Sequence, residues 1–272
     1  MLKTRVLTAL ALLALLLLVV YSGSFLAFVI VAAVFLGAAM WEAFRLFGNR
    51  QPVVGAVIWT IAFGVIVLYQ GNFSPSLLFI ACVAIWALRL VPSLGTGLPP
   101  LDGVRNRLLA ALYCIAILGC FVAILYLYQY SPLYLLSVMA IVWVADIGAY
   151  FSGRAFGKRK LAPSISPGKS WEGAIGGGVA VLLLSALCVM TPALQGTFSA
   201  RLQASWGWVG WLLVLSLLVA ASVVGDLVES QLKRRAAMKD SSNLLPGHGG
   251  VLDRIDALIP VLPLAMLFHS RF

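Results

Sequence analysis

Charge is scarce in this 272-residue chain: only 10% of its residues are Asp, Glu, Lys or Arg. A soluble domain carries about 25%. Hydrophobic residues make up 62%, and no water-soluble fold hides that much apolar surface without exposing large patches. The solvent for most of the chain is therefore a bilayer. Cysteine is sparse too. Cys82, Cys114, Cys120 and Cys188 each sit in an apolar run without CxxC spacing, which argues against a disulfide framework or a zinc site and for small buried residues. No HExxH motif and no Ser–His–Asp order argues for hydrolysis, and there is no clear internal repeat or separate soluble domain.

What the chain does have is long apolar runs. A membrane-crossing helix needs roughly 20 mostly apolar residues. Eight runs meet or approach this: Val6–Val20, Ser24–Met40, Val53–Leu68, Leu77–Leu90, Leu108–Tyr128, Leu133–Phe151, Ala174–Met190 and Val209–Gly225. A ninth, Ala257–Phe268, is short, contains Pro260 and Pro263, and could span, tilt or re-enter. Lys3 and Arg5 before Val6–Val20 resemble the start of a signal peptide. No persuasive small-residue cleavage site follows, so this run is expected to stay as a first span. The fold class expected is all-α, a polytopic bundle of about nine membrane helices. Residues 1–130 would supply N-terminal spans, and residues 131–272 a catalytic membrane region with its loops.

If all nine runs cross, the loops alternate between two sides. All but Arg201 and Arg271 of the 19 basic residues then fall on one side, which the positive-inside rule makes cytoplasmic. A wrong span count would scramble that asymmetry. The N-terminus is thus expected in the cytoplasm, and the C-terminus outside, of a bacterial-type inner membrane. The same bookkeeping explains the net charge of +10, with attraction to anionic lipid headgroups added. Nucleic-acid binding is a poor reading of it. The nine acids lie on or near the same side: Glu42 and Asp102 in the first half, the other seven from Asp146 to Asp256. Polar chemistry is therefore concentrated in the C-terminal half, at one membrane face.

Three polar clusters carry that chemistry. The first is DIGAYFSGRAFGK, Asp146 to Lys158. Asp146 falls about one turn inside its span, where an ionisable group is costly unless paired or facing a polar cavity. Interfacial snorkelling is the bland alternative, but Asp is too short to snorkel far. Gly148, Gly153 and Gly157 permit close helix packing or close approach to a ligand. The second cluster is SPGKSWEG, Ser166 to Gly173. Lys169 and Ser170, after a Pro-Gly turn and before a helix start, suit an anionic ligand. An interfacial turn with a topology-setting lysine would look similar, and a P-loop is not matched. Glu172 fits the N-terminus of a helix, and that favourable placement is also its bland reading.

The third cluster is the richest. It combines GDLVESQLKRR (Gly225–Arg235), Lys239-Asp240 and LPGHGGVLDRID (Leu245–Asp256). If the eighth helix continues past the membrane, Asp226, Glu229, Ser230, Lys233 and Arg234 share a broad face. Glu229 and Lys233 could also be an ordinary i,i+4 pair. Asp253 and Asp256 share a face if helical, and with Asp226 make three carboxylates among several cations. Carboxylate oxygens suit Mg²⁺, which takes one or two of them plus substrate phosphates. Lys and Arg neutralise remaining phosphate charge, and phosphoryl-type transfer needs positioning more than covalent chemistry. His248, bracketed by glycines, is open to three readings: a ligand contact, a proton carrier or a loop-ordering group.

The stretch Ser230–Asp256, SQLKRRAAMKDSSNLLPGHGGVLDRID, resembles the signature of phosphatidate cytidylyltransferases, the CDP-diacylglycerol synthases. The spacing from KR to KD, to PGHGG, to DRxD agrees throughout. SPGKSWEG and DIGAYFSGRAFGK resemble other parts of that family, so the likeness covers about Trp143 to Asp256. One departure is Ala237, where many relatives have glycine; it bears on local loop geometry alone. The resemblance implies that CTP and phosphatidate give CDP-diacylglycerol and pyrophosphate. It also implies Mg²⁺, a possible monovalent cation such as K⁺, and a homodimer among membrane lipids. It makes Asp226, Asp253 and Asp256 the metal-site carboxylates and Lys233 catalytic with them. Lys169, Ser170, Glu172, Ser230, Arg234, Lys239, His248, Arg254 and Asp146 become substrate-binding candidates. Two rivals are a transporter, which would spread acids near the membrane midplane, and a CTP-dependent lipid-alcohol kinase, which would transfer the γ-phosphate.

Overall fold

The computed structural model describes residues 2–72 and 74–269. Arg271, which the charge pattern sets on the outer side, lies outside the described residues, as do the side chains of Lys3 and Arg5. Each expected apolar run falls on a helix to within one residue at either end. The helices are α1 (Leu2–Tyr21), α2 (Phe25–Leu46), α3 (Pro52–Leu68), α4 (Ser76–Ile85), α5 (Val91–Thr96), α6 (Val104–Tyr130), α7 (Pro132–Phe156), α8 (Trp171–Met190), α9 (Phe198–Arg235), α10 (Leu252–Ile255) and α11 (Leu258–His269). A π-helical segment, Trp86–Leu90, joins α4 to α5 into one continuous apolar rod, Ser76–Thr96.

Six of these rods are long and apolar enough to cross a bilayer, and the apolar helices Val6–Tyr21, Pro52–Leu68 and Leu258–His269 are shorter. The starts are marked by side-chain caps. The Ser24, Ser131, Ser170 and Thr197 hydroxyls accept from Ala27, Tyr134, Gly173 and Ala200 N–H groups, which satisfies donors the helix leaves orphaned. Pro52 and Pro132 occupy first turns, where their missing N–H costs nothing.

Two elements depart from the sequence reading. Helix α9 begins at Phe198 rather than Val209, broken by Gly207 at φ 65° and ψ −176°. Residues 198–206 therefore form a separate short helix, which hydropathy alone does not separate from a loop. A hairpin of β1 (Lys160–Ala162) and β2 (Ser166–Ser170) also stands between α7 and α8, paired antiparallel. Strands this short around a Pro-Gly carry no readable period-two signal.

Helix α6 is the most enclosed rod and packs on α2, α4, α7 and α11. The buried apolar cluster runs from Val19 to Met266, so both halves of the chain share one core. The tightest pair is α7 with α8. A Cβ on Gly177 would lie 2.4 Å from the Ala145 carbonyl oxygen, and one on Gly148 2.9 Å from Ala180 Cβ. Small residues let these backbones touch, which is the main source of helix association where lipid replaces water.

One end of the bundle gathers the polar segments. There the Thr8 hydroxyl of α1 donates to the Pro246 carbonyl at 2.8 Å, and Arg45 of α2 donates to the Ser241 carbonyl at 3.5 Å. Gln231 of α9 donates to the Ser93 carbonyl of α5 at 2.9 Å, and Asn106 of α6 to the Phe47 carbonyl at 2.9 Å.

Candidate active site

Helix α9 does continue past its apolar stretch, to Arg235. From Gly207 it runs about 40 Å at 1.5 Å per residue, beyond the roughly 30 Å hydrocarbon core. Its last turns bring Asp226, Glu229, Ser230 and Lys233 to the polar end. Gly225 keeps this helix in contact with the end of the signature: a Cβ there would sit 2.5 Å from the Asp256 carbonyl oxygen.

A cavity of about 660 Å³ opens between α7, α8, α9, the hairpin and α10. Asp146, Asp226, Asp240, Asp253 and Asp256 line it, interleaved with Arg154, Lys169, Lys233 and Arg254. Ser166, Gly168 and Ser170 come from the hairpin. Deeper, the wall is apolar: Ala145, Ala149, Ala174, Val219 and Val223. The cavity thus has a charged mouth at the polar end and a greasy side along the helices. That combination suits an amphiphile with an anionic head.

Two ion pairs organise the mouth. Lys169 of β2 pairs with the Asp226 carboxylate, whose other oxygen accepts from the Ser230 hydroxyl at 3.2 Å. Lys233 pairs with Glu229 one turn below it and donates to Asp253 Oδ1 at 2.6 Å. Glu229 is fully buried, so the ordinary i,i+4 pair is present, but beneath Lys233 and outside the cavity lining rather than on the surface.

Asp253 is held from every side. Its Oδ2 accepts from Ser241 N–H at 2.9 Å, the Ser241 hydroxyl at 2.9 Å and Gly250 N–H at 2.7 Å. Desolvation alone would raise the Asp253 carboxyl. The Lys233 ammonium and the Gly250 and Ser241 N–H groups outweigh it and hold the group below its ordinary value. Asp256, at the end of α10, differs. The only hydrogen bond its carboxylate makes among the described residues is from its neighbour, Ala257 N–H, at 2.8 Å. Desolvation, with the Asp226 carboxylate nearby, pushes it up to about 8.

The PGHGG turn folds on itself: Leu245 and Gly249 pair as an isolated bridge, with Gly247 at φ 76° and Gly249 at φ 82°. Glycine reaches these left-handed angles without steric cost. The Arg254 guanidinium donates to the His248 carbonyl from Nε at 3.0 Å and from a terminal nitrogen at 2.6 Å. The His248 backbone thereby steers a cavity cation, while its ring is not among the cavity lining.

The structure thus brings Asp146, Lys169, Ser170, Asp226, Lys233, Asp253, Arg254 and Asp256 to one cavity. Ser230, Glu172, Arg234, Lys239 and His248 are not among its lining residues. Ser230 supports Asp226. Glu172 is half-buried and accepts from the Lys158 and Arg159 N–H groups at 3.1 and 3.2 Å, which ties the α7–β1 link to the start of α8. Arg234 donates to the Ile165 carbonyl of the hairpin turn at 3.4 Å. Lys239 lies exposed beside Asp240.

A model of the cytidylyltransferase family matches residues 3–272. The chain belongs to that family. Family membership makes it a nucleotidyltransferase, and the apolar helices make it a membrane-embedded one. Among curated relatives, the "Phosphatidate cytidylyltransferase" of Haemophilus influenzae is 39% identical over 99% of this chain and 99% of its own. The protein of the same name from Pseudomonas aeruginosa is 42% identical over 97% and 95%. A Bacillus subtilis protein of that name is 39% identical over 63% of this chain and 60% of its own.

Among the described residues, no cluster of three or more His, Cys, Asp or Glu forms a ready-made metal cage. The donor set nonetheless fits Mg²⁺, which takes few carboxylates and keeps its other positions for waters and phosphate oxygens. Asp226 and Asp256 are the fitting pair: neighbouring carboxylates, one of them short of donors. Asp226 and Asp253 would each reach a metal by sharing oxygens already engaged, by Lys169 and Ser230 in the first and by Lys233, Ser241 and Gly250 in the second.

Sequence reasoning passed over Glu42 and Ser241. Glu42 is fully buried, and its carboxylate reaches the signature loop from α2. The available signal was a lone acid at the edge of an apolar run, where a carboxylate needs partners.

Proposed function

We propose that the protein transfers the cytidylyl group of CTP to phosphatidate, forming CDP-diacylglycerol and releasing pyrophosphate at the cytoplasmic face of a bacterial inner membrane. One observation carries this reading: a cavity that interleaves Lys169, Lys233, Arg154 and Arg254 with carboxylates, and continues into an apolar wall between membrane helices. It suits two anionic substrates, one from water and one from the bilayer. The near full-length likeness to relatives named for this reaction supports the choice of substrates.

A phosphatidate oxygen attacks the α-phosphorus of CTP; the bond to the bridging oxygen breaks, and pyrophosphate leaves with its electrons. The nucleophile is already an anion, so no strong general base is required. Asp226 and Asp256 would hold Mg²⁺. When bound, Mg²⁺ would neutralise phosphate charge in the transition state and leaving group. Lys233, oriented by Asp253 and Glu229, and Lys169, oriented by Asp226, present ammonium groups to the phosphates. Arg254 and Arg154 supply further cationic donors at the mouth. The wall of Ala145, Ala149, Val219 and Val223 admits the diacylglycerol part sideways. All nine apolar helices cross in this reading, with the N-terminus in the cytoplasm. A homodimer and a K⁺ ion belong to it through the family resemblance.

The test uses purified protein in lipid nanodiscs with phosphatidate and CTP labelled in turn at the α- and γ-phosphate. Label from the α-position is expected in the lipid, with pyrophosphate released in equal amount. Label from the γ-position in the lipid, with CDP released, would overturn the reading in favour of a kinase.

A further inference from the structure

Glu42 belongs to the N-terminal half, in α2, some 200 positions before the signature loop it touches. Its side chain is fully buried, and all its donors come from that loop. Oε1 accepts from the Ser242 hydroxyl at 2.5 Å and from Val251 N–H at 3.0 Å. Oε2 accepts from Leu252 N–H at 2.6 Å and lies 3.2 Å from the Ser241 hydroxyl. The two N–H groups open α10, the turn that carries Asp253 and Arg254. Glu42 therefore acts as an N-cap supplied from a distant helix.

Ser241 makes the connection to the site. Its hydroxyl sits between two carboxylates, 3.2 Å from Glu42 Oε2 and 2.9 Å from Asp253 Oδ2. It has one proton and serves one of them at a time. Gly250 closes the corner: a Cβ there would lie 2.0 Å from Ser241 Oγ and 2.4 Å from Glu42 Oε1. No side chain fits, so the loop has one way to seat itself on Glu42. From Asp253 the chain of contacts passes to Lys233 and into the cavity.

We infer that Glu42 is a positioning residue for cytidylyl transfer: through Ser241, Ser242 and the start of α10 it sets the orientation of Asp253 and hence of Lys233. The N-terminal spans are then part of the working site as well as an anchor. This rests on the proposed reaction. A carboxylate is suited to the task because four donors converge on it and an amide could accept from only some of them.

Glu42→Gln tests it, with kinetics normalised to the monodisperse folded fraction. An amide nitrogen would then face a backbone N–H or a hydroxyl. We expect kcat to fall by roughly 10–100-fold, the range typical of groups that orient site ligands, with KM for CTP within about 2-fold. Hydrogen–deuterium exchange over residues 240–253 should rise. A role confined to stability would lower yield and melting temperature but leave kcat per folded molecule intact, and that result would overturn the inference. So would unchanged exchange over 240–253. Should Glu42→Gln fail to fold, Ser242→Ala removes a single donor to Glu42 and lies outside the cavity lining. It should lower kcat several-fold at constant KM, and full kcat there overturns the inference equally. Loosening of 240–253 in a protein whose wild type transfers no cytidylyl group would sink the proposed reaction and leave the contact standing. Unchanged kcat in Glu42→Gln beside an active wild type would sink this inference alone.

Discussion

Asp253 and Asp256 stand three residues apart on the same short turn, face the same cavity, and keep different company. Asp253 accepts from an ammonium, a hydroxyl and two backbone N–H groups. Asp256 has one bond from an adjacent N–H and a second carboxylate, Asp226, for a neighbour. A buried charge is tolerated where its partners are complete, and it is costly where they are not. The satisfied acid holds Lys233, Ser241 and Gly250 in place and serves as a strut. The unsatisfied one favours its protonated form, because desolvation and the Asp226 carboxylate both raise it; under the proposed function a bound cation would supply the partner it lacks. The difference separates what holds the site from what the site holds.

The strongest way to break the comparison is to remove the cation that completes the strut. Lys233→Met strands Glu229 and Asp253 as uncompensated charges. Breaking a buried pair this way costs about 3–5 kcal/mol. Unfolding of the purified variant in detergent should show that loss, together with the loss of cytidylyl transfer. A stability change under about 1 kcal/mol would mean that the corner is not closed as described.

On the open side the pattern should reverse. Asp256→Asn is expected to reduce kcat/KM at least about 100-fold, as for losing several kcal/mol of metal-based stabilisation, while stability holds or rises. The pH dependence carries a sign. A folded-state value of about 8 lies above the ordinary carboxyl value of 3.8, so the group's contribution to stability is fully present below the ordinary value. It is lost as pH climbs toward 8. Metal-free wild type should therefore lose melting temperature between pH 5 and 8, Asp256→Asn should lose less, and added Mg²⁺ should offset the loss in wild type. A loss as steep in Asp256→Asn as in wild type would detach Asp256 from this account.

The helix pair behind both acids offers a third, smaller test. Gly177→Ala puts a methyl 2.4 Å from the Ala145 carbonyl oxygen, against backbone that cannot rotate away. Overpacking of this kind costs roughly 1–3 kcal/mol. It should also widen the α7–α8 wall, seen as a raised KM for phosphatidate with KM for CTP unchanged. Equal changes in both constants would separate α7–α8 packing from lipid entry.

How much of this was legible follows from what each signal depends on. Hydropathy is local, so the apolar runs and their order could be read directly; Gly207 escaped because a break inside a helix leaves the composition unchanged. The spacing of Asp226, Glu229 and Lys233 on one helix is likewise local. Glu42 reaching Leu252, or Lys169 reaching Asp226, depends on which helices are neighbours, and no periodicity encodes that. Glu172 is a further case. Its sequence context fits a site residue and a helix N-terminus equally, and its hydrogen bonds to the Lys158 and Arg159 N–H groups are a long-range tie between the α7–β1 link and the start of α8 that neither context announces.

Ala237 joins the two kinds of signal and gives the smallest expected effect. The family resemblance sets a glycine at its position, and among the described residues it is the one non-glycine with positive φ, at 55°. The reason lies in how α9 ends. Ala237 N–H donates to the Arg234 carbonyl at 3.1 Å, and Met238 N–H to the Lys233 carbonyl at 2.9 Å. This pair of bonds is a Schellman ending, whose left-handed position usually takes glycine. Alanine there carries about 1–2 kcal/mol of steric cost, and glycine gives back roughly 0.5–1 kcal/mol in unfolded-chain entropy. Ala237→Gly should therefore raise stability by up to about 1 kcal/mol. Because the turn sits four residues beyond Lys233 and outside the cavity lining, kcat should stay within about 2-fold. A gain in stability with a loss in kcat would mean that strain at Ala237 helps to aim Lys233, and would extend the strut from Asp253 to the end of α9.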